Sequence, residues 1–211
     1  VAVDIQMLEP GHYITNDWQP TRWYNPTWDY LTSLPSNPVD YKQLRQQITD
    51  SVQAHLMTDV PFGVMLSGGL GSSLIAAITM ELLKEGKVIL KDGKKAVKTF
   101  TIGEKDSPDI LAARKVAEFL GTDHHEIILN PEECFNYVND AVFHTETYDP
   151  LTIKMACPML VLQKKIKEAG MGVILSGEGV NELFGGLPSF KKAENEMLFH
   201  AESVKRLGNL Y

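Results

Sequence analysis

Two stretches combine glycine with hydroxyl side chains in the pattern an anion site needs: Ser67-Gly68-Gly69-Leu70-Gly71-Ser72-Ser73 and Ser176-Gly177-Glu178-Gly179-Val180-Asn181-Glu182. Each follows a short apolar run, and the first precedes a helical pattern. A loop entering a helix carries backbone N–H groups without intrahelical partners, at the positive end of the helix dipole. Glycine lets a phosphate approach that backbone closely, and serine adds hydroxyl donors. For the first loop alone, a plain turn joining two elements is the alternative. Taken together, the two Ser-Gly loops either converge on one ligand or are unrelated turns with Glu178 and Glu182 in solvent. The first loop is not a Walker loop, because no G-x-x-x-x-G-K-[ST] spacing occurs.

Elements must hold such loops in place. Phe62 to Leu66 reads as a strand running into the first loop, and Ser72 to Leu83 reads as a helix with Ile75, Ile78, Leu82 and Leu83 on one side. Upstream, Asn37-Pro38 opens a helical stretch in which Leu44, Ile48, Val52 and Leu56 form an apolar face. Val88 to Leu90, Asp92-Gly93 and Ala96 to Ile102 suggest a hairpin-like insertion leading into the next strand. Ser107-Pro108-Asp109 starts a helix that stops at Gly121, and Ile127 to Leu129 supplies another strand. Glu132 to Phe143 and Ile153 to Ala169 read as helices, and Val173 to Leu175 as a strand before the second loop. Strands alternating with helices predict an α/β fold, a mostly parallel sheet with helices on both faces. Ligands of such sheets bind beyond the carboxyl ends of the strands, so the loops after Leu66, Ile102 and Leu175 are the expected site. Residues 1–36 read as an irregular N-terminal segment with a turn at Glu9-Pro10-Gly11-His12, and residues 37–211 as the α/β domain.

Composition narrows the function further. Twenty Lys+Arg against 27 Asp+Glu leave a net charge of −7, which disfavours nucleic acid as the main partner, since a phosphate lattice rewards positive charge. Hydrophobic content of 44% places the 211 residues among globular chains. The apolar runs fall far short of the roughly 20 residues of a membrane span. Cys134 and Cys157 lack a C-x-x-C spacing and suggest free thiols rather than a disulfide framework or a zinc site. The chain opens on Val with no basic stretch followed by an apolar core, which leaves a processed protein and a fragment as the two readings. His124 and His125, adjacent on a strand, face opposite ways and do not make a metal pair. Trp18, Trp23 and Trp28 mark either a sticky surface or packing against the sheet.

The ensemble of motifs resembles one family. S-G-G-L-x-S-S at Ser67 to Ser73, Thr99-Phe100-Thr101-Ile102-Gly103, Ser107-Pro108-Asp109, His124-His125-Glu126, Glu146-Thr147-Tyr148-Asp149 and Ser176-Gly177-Glu178-Gly179 occur in the order found in glutamine-hydrolysing asparagine synthetases. The likeness is to their synthetase domain, of the ATP-pyrophosphatase group with its adenine nucleotide alpha hydrolase-like fold. It implies ATP or AMP as cofactor and aspartate as substrate of an active enzyme, through a β-aspartyl-adenylate that ammonia attacks. By motif position it implies that Leu66 and Ile102 contact the nucleoside, that Ser67, Gly68, Gly69, Ser72 and Ser73 cradle pyrophosphate, and that Ser176 and Gly177 border the nucleotide. Glu178 matches the acidic residue of adenylate formation, and Glu146 to Asp149 the surroundings of the aspartate pocket.

Two departures stand out against that resemblance. The family's loops read S-G-G-L-D-S-S and S-G-E-G-S-D-E, whereas this chain carries Gly71 and Asn181 at the two aspartate positions. Both lost carboxylates are those the family directs at magnesium, so no metal ligand is assigned here and magnesium itself is doubtful. The family's glutaminase domain lies upstream of the matched region and its synthetase domain continues past the point matching Tyr211; residues 1–36 correspond to the linker between the two. Two readings follow: a domain with little or no catalysis, kept as a nucleotide-binding or structural subunit with protein partners in a larger assembly, or an active ligase seen as a fragment. The resemblance implies a cytoplasmic protein in the second case and allows an organellar, mitochondrial one in the first.

Overall fold

A computed structural model describes residues 6–30, 34, 37–90, 93 and 95–208. The chain divides into two compact units, residues 40–178 and residues 1–39 with 179–211. Residues 179–211, however, group with the N-terminal segment and not with the sheet.

In the smaller unit, the Glu9 to His12 turn leads into β1 (His12–Tyr13), which pairs antiparallel with β2 (Thr21–Arg22) across residues 14–20. The Nε2 of His200 lies 3.1 Å from the carbonyl of Tyr30, tying the C-terminal helix of the unit to its N-terminal segment. Trp18 and Trp23 are exposed, so they do not pack as core side chains. The first five residues of the expected irregular segment lie outside the described residues.

In the larger unit, α1 (Tyr41–His55) starts later than Asn37-Pro38 suggests, because the Asp40 carboxylate accepts hydrogen bonds from the backbone N–H groups of Lys42 and Gln43 at 2.9 and 3.1 Å. Its expected apolar stripe packs inward through Ile48, Val52 and Leu56. The sheet holds β3 (Phe62–Met65), β4 (Lys98–Gly103), β5 (Asp123–Ile128) and β6 (Val173–Leu175), all parallel, in the order β5-β4-β3-β6. Residues alternate between its faces as the pleat requires. Phe62, Val64 and Leu175 join a core with α1, α2 (Leu70–Lys84) and α3 (Pro108–Leu120). Phe100 packs on the other face against Leu162 and Ile166 of α6 (Pro150–Glu168), with Met65, Ile102 and Ile174 around them. Helices therefore cover both faces, as expected for a parallel sheet.

Three expectations need correction. Val88 and Leu90 form no hairpin strand: both side chains are buried in the α1–α2–α3 core, and a core anchor wins over turn chemistry there. Asp92 lies outside the described residues. The strand expected at Ile127 to Leu129 begins four residues earlier, at Asp123, because its first half is made of polar residues that still pair in register with Lys98 to Thr101. The helix expected over Glu132 to Phe143 is two, α4 (Pro131–Asn136) and α5 (Val138–Thr145), broken at Tyr137 where ψ rises to 3°. Helix α3 follows the expectation, with the Ser107 hydroxyl at its N-cap and Gly121 left-handed at φ 73° closing it.

The two histidines face apart. His124 Nδ1 lies 2.9 Å from the buried Thr99 hydroxyl, while the His125 ring stacks on Phe100 with centroids 5.1 Å apart. On the His124 face, Arg114 of α3 grips Glu126 through Nε–Oε1 and Nη2–Oε2 contacts of 2.8 and 2.9 Å, holding that carboxyl below its usual range. Burial is the leading cause that lowers the His124 pKa, against the pull of Glu126. Cys134 and Cys157 are both free thiols.

Candidate anion and nucleotide site

The register of the sheet brings the two Ser-Gly loops together. Val64 of β3 pairs with Leu175 of β6, and Met65 pairs with Phe100 of β4. Leu66 then continues the ladder, its N–H donating to the Phe100 carbonyl at 2.8 Å. Counting on from these pairs sets Gly177 beside Leu66 and Ile102 beside Ser67, at the carboxyl ends of three adjacent strands. Contact between the loops is close: a Cβ on Gly177 would stand 2.6 Å from the Ser72 nitrogen and 2.8 Å from the Gly71 carbonyl carbon.

The first loop is shaped by Ser72. Its buried hydroxyl accepts from the Ser67 N–H at 3.2 Å, donates to the Gly69 carbonyl at 3.2 Å and lies 3.0 Å from the Ser67 hydroxyl. One side chain thus closes the loop on itself. Gly68 takes φ 79°, and a Cβ there would meet the Ala113 nitrogen at 2.5 Å and the Ala112 Cβ at 2.6 Å. Only glycine satisfies both the left-handed backbone and that approach to α3. The part played by Ala112 and Ala113 was missed in the sequence, where two small residues near a helix start were the only signal.

Helix α2 begins at this loop with free donors. Gly69 is its N-cap and offers no side-chain cap, and the first helical bond runs from the Ser73 N–H to the Gly69 carbonyl at 3.0 Å. The N–H groups of Leu70, Gly71 and Ser72 precede it, in the turn where the dipole is positive. The Ser73 hydroxyl is buried without a hydrogen-bond partner. Ser67 and Gly69 are exposed. This donor set fits a phosphate group.

The remaining expected residues sort by position. The Leu66 side chain is fully buried in the α1–α2–α3 core, so what it can offer a ligand is backbone. Ile102 is half-buried on the α6 face. In the second loop the Ser176 hydroxyl accepts from the Glu178 N–H at 3.0 Å, and the Glu178 side chain is exposed. Asp149 caps α6, its carboxylate accepting from the Thr152 N–H and hydroxyl at 2.7 Å each, which lowers its pKa. It serves there as a helix cap, away from any contact with the two loops among the described hydrogen bonds. Asn181 belongs to the smaller unit, where α7 (Val180–Leu183) lies and the Asn181 carbonyl accepts from the Gly186 N–H at 2.8 Å.

Magnesium is the group these residues do not fit. It takes hard oxygen ligands, usually one or two carboxylates beside the phosphates. Between residues 67–73 and 176–178 the only carboxylate is Glu178. No group of three His, Cys, Asp or Glu residues suited to a metal occurs among the described residues.

A parallel four-stranded sheet with helices on both faces and paired Ser-Gly loops at its carboxyl edge defines an α/β domain. The family model for asparagine synthase matches residues 43–208, and the chain belongs to that family. It is 44% identical to asparagine synthetase [glutamine-hydrolyzing] 2 of Oryza sativa subsp. japonica over 203 residues, 96% of this chain and 34% of the relative. It is 43% identical to a probable asparagine synthetase [glutamine-hydrolyzing] of Schizosaccharomyces pombe over 220 residues, 100% of this chain and 40% of the relative. The chain therefore spans between 34% and 40% of the length of these relatives. Among solved structures, an NH3-dependent NAD synthetase from Campylobacter jejuni is 16% identical, with TM-score 0.45 over 70% of this chain and 61% of that one. No described helix is long and apolar enough to cross a membrane.

Proposed function

We propose that this asparagine synthetase-like domain holds an adenine nucleotide, ATP or AMP, at the paired Ser-Gly loops and has little or no ligase activity. The observation that carries this reading is Gly71, which sits in the first turn of α2 where the family motif has an aspartate. When bound, ATP would supply an adenylyl group to a carboxylate, with pyrophosphate as the leaving group. The chain's own part is to cradle the phosphates with the Leu70, Gly71 and Ser72 N–H groups, and to border the nucleoside with the backbone of Leu66 and with Ile102 and Gly177. It lacks the carboxylates that keep a charge-neutralising metal on the leaving pyrophosphate. Each lost electrostatic contact of this kind costs roughly a hundred- to a thousandfold in rate. Held nucleotide without turnover suits a subunit of a larger assembly.

A second reading is an active ligase acting on aspartate, favoured by the retained and exposed Glu178. Pyrophosphate release from ATP with aspartate, ammonia and magnesium separates the two. The expected result is ATP binding by equilibrium dialysis with no release above background, and release only after Gly71→Asp with Asn181→Asp. Steady turnover by the unmodified chain overturns the first reading.

A further inference from the structure

We infer that the loop cradle selects a polyphosphate as the free anion over its magnesium complex, so that magnesium weakens binding where in a metal-dependent site it strengthens it. The inference rests on the nucleotide-binding reading and names the ionic form that the site takes. Its basis is the charge inventory of the two loops. Attraction comes from the unpaired N–H groups at the start of α2, from the dipole of a 15-residue helix and from hydroxyls, all of which reward negative charge on the ligand. Gly69 brings no side-chain acceptor to compete for those donors. Gly71 brings no carboxylate, so the first loop contains no anionic group to repel a bare phosphate or to hold a cation.

A divalent cation on the ligand cancels two of its negative charges and occupies phosphate oxygens the N–H groups would otherwise reach. With no carboxylate in the first turn to recover that loss, complexation reduces the attraction without replacing it. The Ser72 hydroxyl cannot compensate, because it is buried and already engaged with Ser67 and Gly69. The neighbouring Glu178 is exposed at the other loop, where it is free to stay in water.

The test is calorimetric titration of the full chain with ATP and with inorganic pyrophosphate, in EDTA and in excess magnesium, alongside Gly71→Asp and Gly71→Asn. The expected result is binding at least about tenfold tighter in EDTA for the parent chain. Gly71→Asn, which adds size without charge, keeps that preference, while Gly71→Asp reverses it. An acidic residue in the first turn of a helix favours folding, and denaturation midpoints check that both variants are intact. Equal or tighter binding in magnesium by the parent chain overturns this inference and leaves the nucleotide-binding reading standing. Absence of binding in both buffers overturns that reading itself, and the inference with it.

Discussion

Replacing Gly177 by alanine tests the claim that the two Ser-Gly loops touch. The added Cβ would lie 2.6 Å from the Ser72 nitrogen, 2.8 Å from the Gly71 carbonyl carbon and 3.0 Å from the Ser72 Cα. Ordinary contacts of this kind sit near about 3.5 Å, so the loops must separate by roughly 1 Å. All three atoms are backbone, which leaves no side-chain rotation to relieve the overlap. Overpacking that moves backbone costs about 1–3 kcal/mol. In a chain of this size that corresponds to a fall of about 2–12 °C in the melting temperature. Gly69→Ala is the control, because its Cβ meets only the Ser67 hydroxyl at 3.5 Å and its φ of −70° suits any residue. It loses only the modest advantage of glycine over alanine at an N-cap, about 0.5 kcal/mol. Urea unfolding followed by far-UV circular dichroism measures both, and ATP titration in EDTA reads the site. Gly177→Ala is expected to bind ATP at least about tenfold more weakly as the cradle opens. If Gly177→Ala is no more destabilising than Gly69→Ala, the juxtaposition of the loops is wrong.

Two further outcomes are expected. Ser72→Ala leaves the Ser67 N–H without its acceptor and should destabilise the chain by about 1–3 kcal/mol in urea melts; Ser72→Thr, which keeps the hydroxyl, should lose less. His124, buried against Thr99, has a lowered pKa in the fold, so below about pH 6.5 the unfolded chain takes up a proton that the folded chain does not. Its stabilising contribution is present above that pH and is lost as the pH falls through the lowered folded value. Unfolding free energies measured between pH 7.5 and about pH 5 should therefore decline for the parent chain and decline less for His124→Gln; parallel curves would remove His124 as a source of the dependence.

How far the sequence reaches varies along the chain. Helix α3 was legible at both ends, because Ser107, Pro108 and Gly121 act through backbone chemistry confined to a few neighbouring residues. Val88 and Leu90, expected in a hairpin-like strand, depart from that expectation for the opposite reason. Val88 and Leu90 are held by a core assembled from distant helices, and no local signal reports that. Strand β5 was read too short because His124, His125 and Glu126 look solvent-facing in isolation, whereas Thr99, Phe100 and Arg114 supply their partners. The break at Tyr137 between α4 and α5 likewise has no proline or glycine to announce it.

By itself the sequence determined the family, the alternation of strands and helices, the two Ser-Gly loops and the missing carboxylates at positions 71 and 181, all of which are written in residue type and spacing. What only the tertiary structure decided is the strand order β5-β4-β3-β6, which makes β3 and β6 neighbours across much of the chain. That pairing sets Gly177 against the Ser72 backbone and makes one cradle from two loops. The physical reason is that sheet order is chosen by the burial of both faces under helices, a sum over the whole larger unit, whereas a glycine turn is chosen by its own backbone.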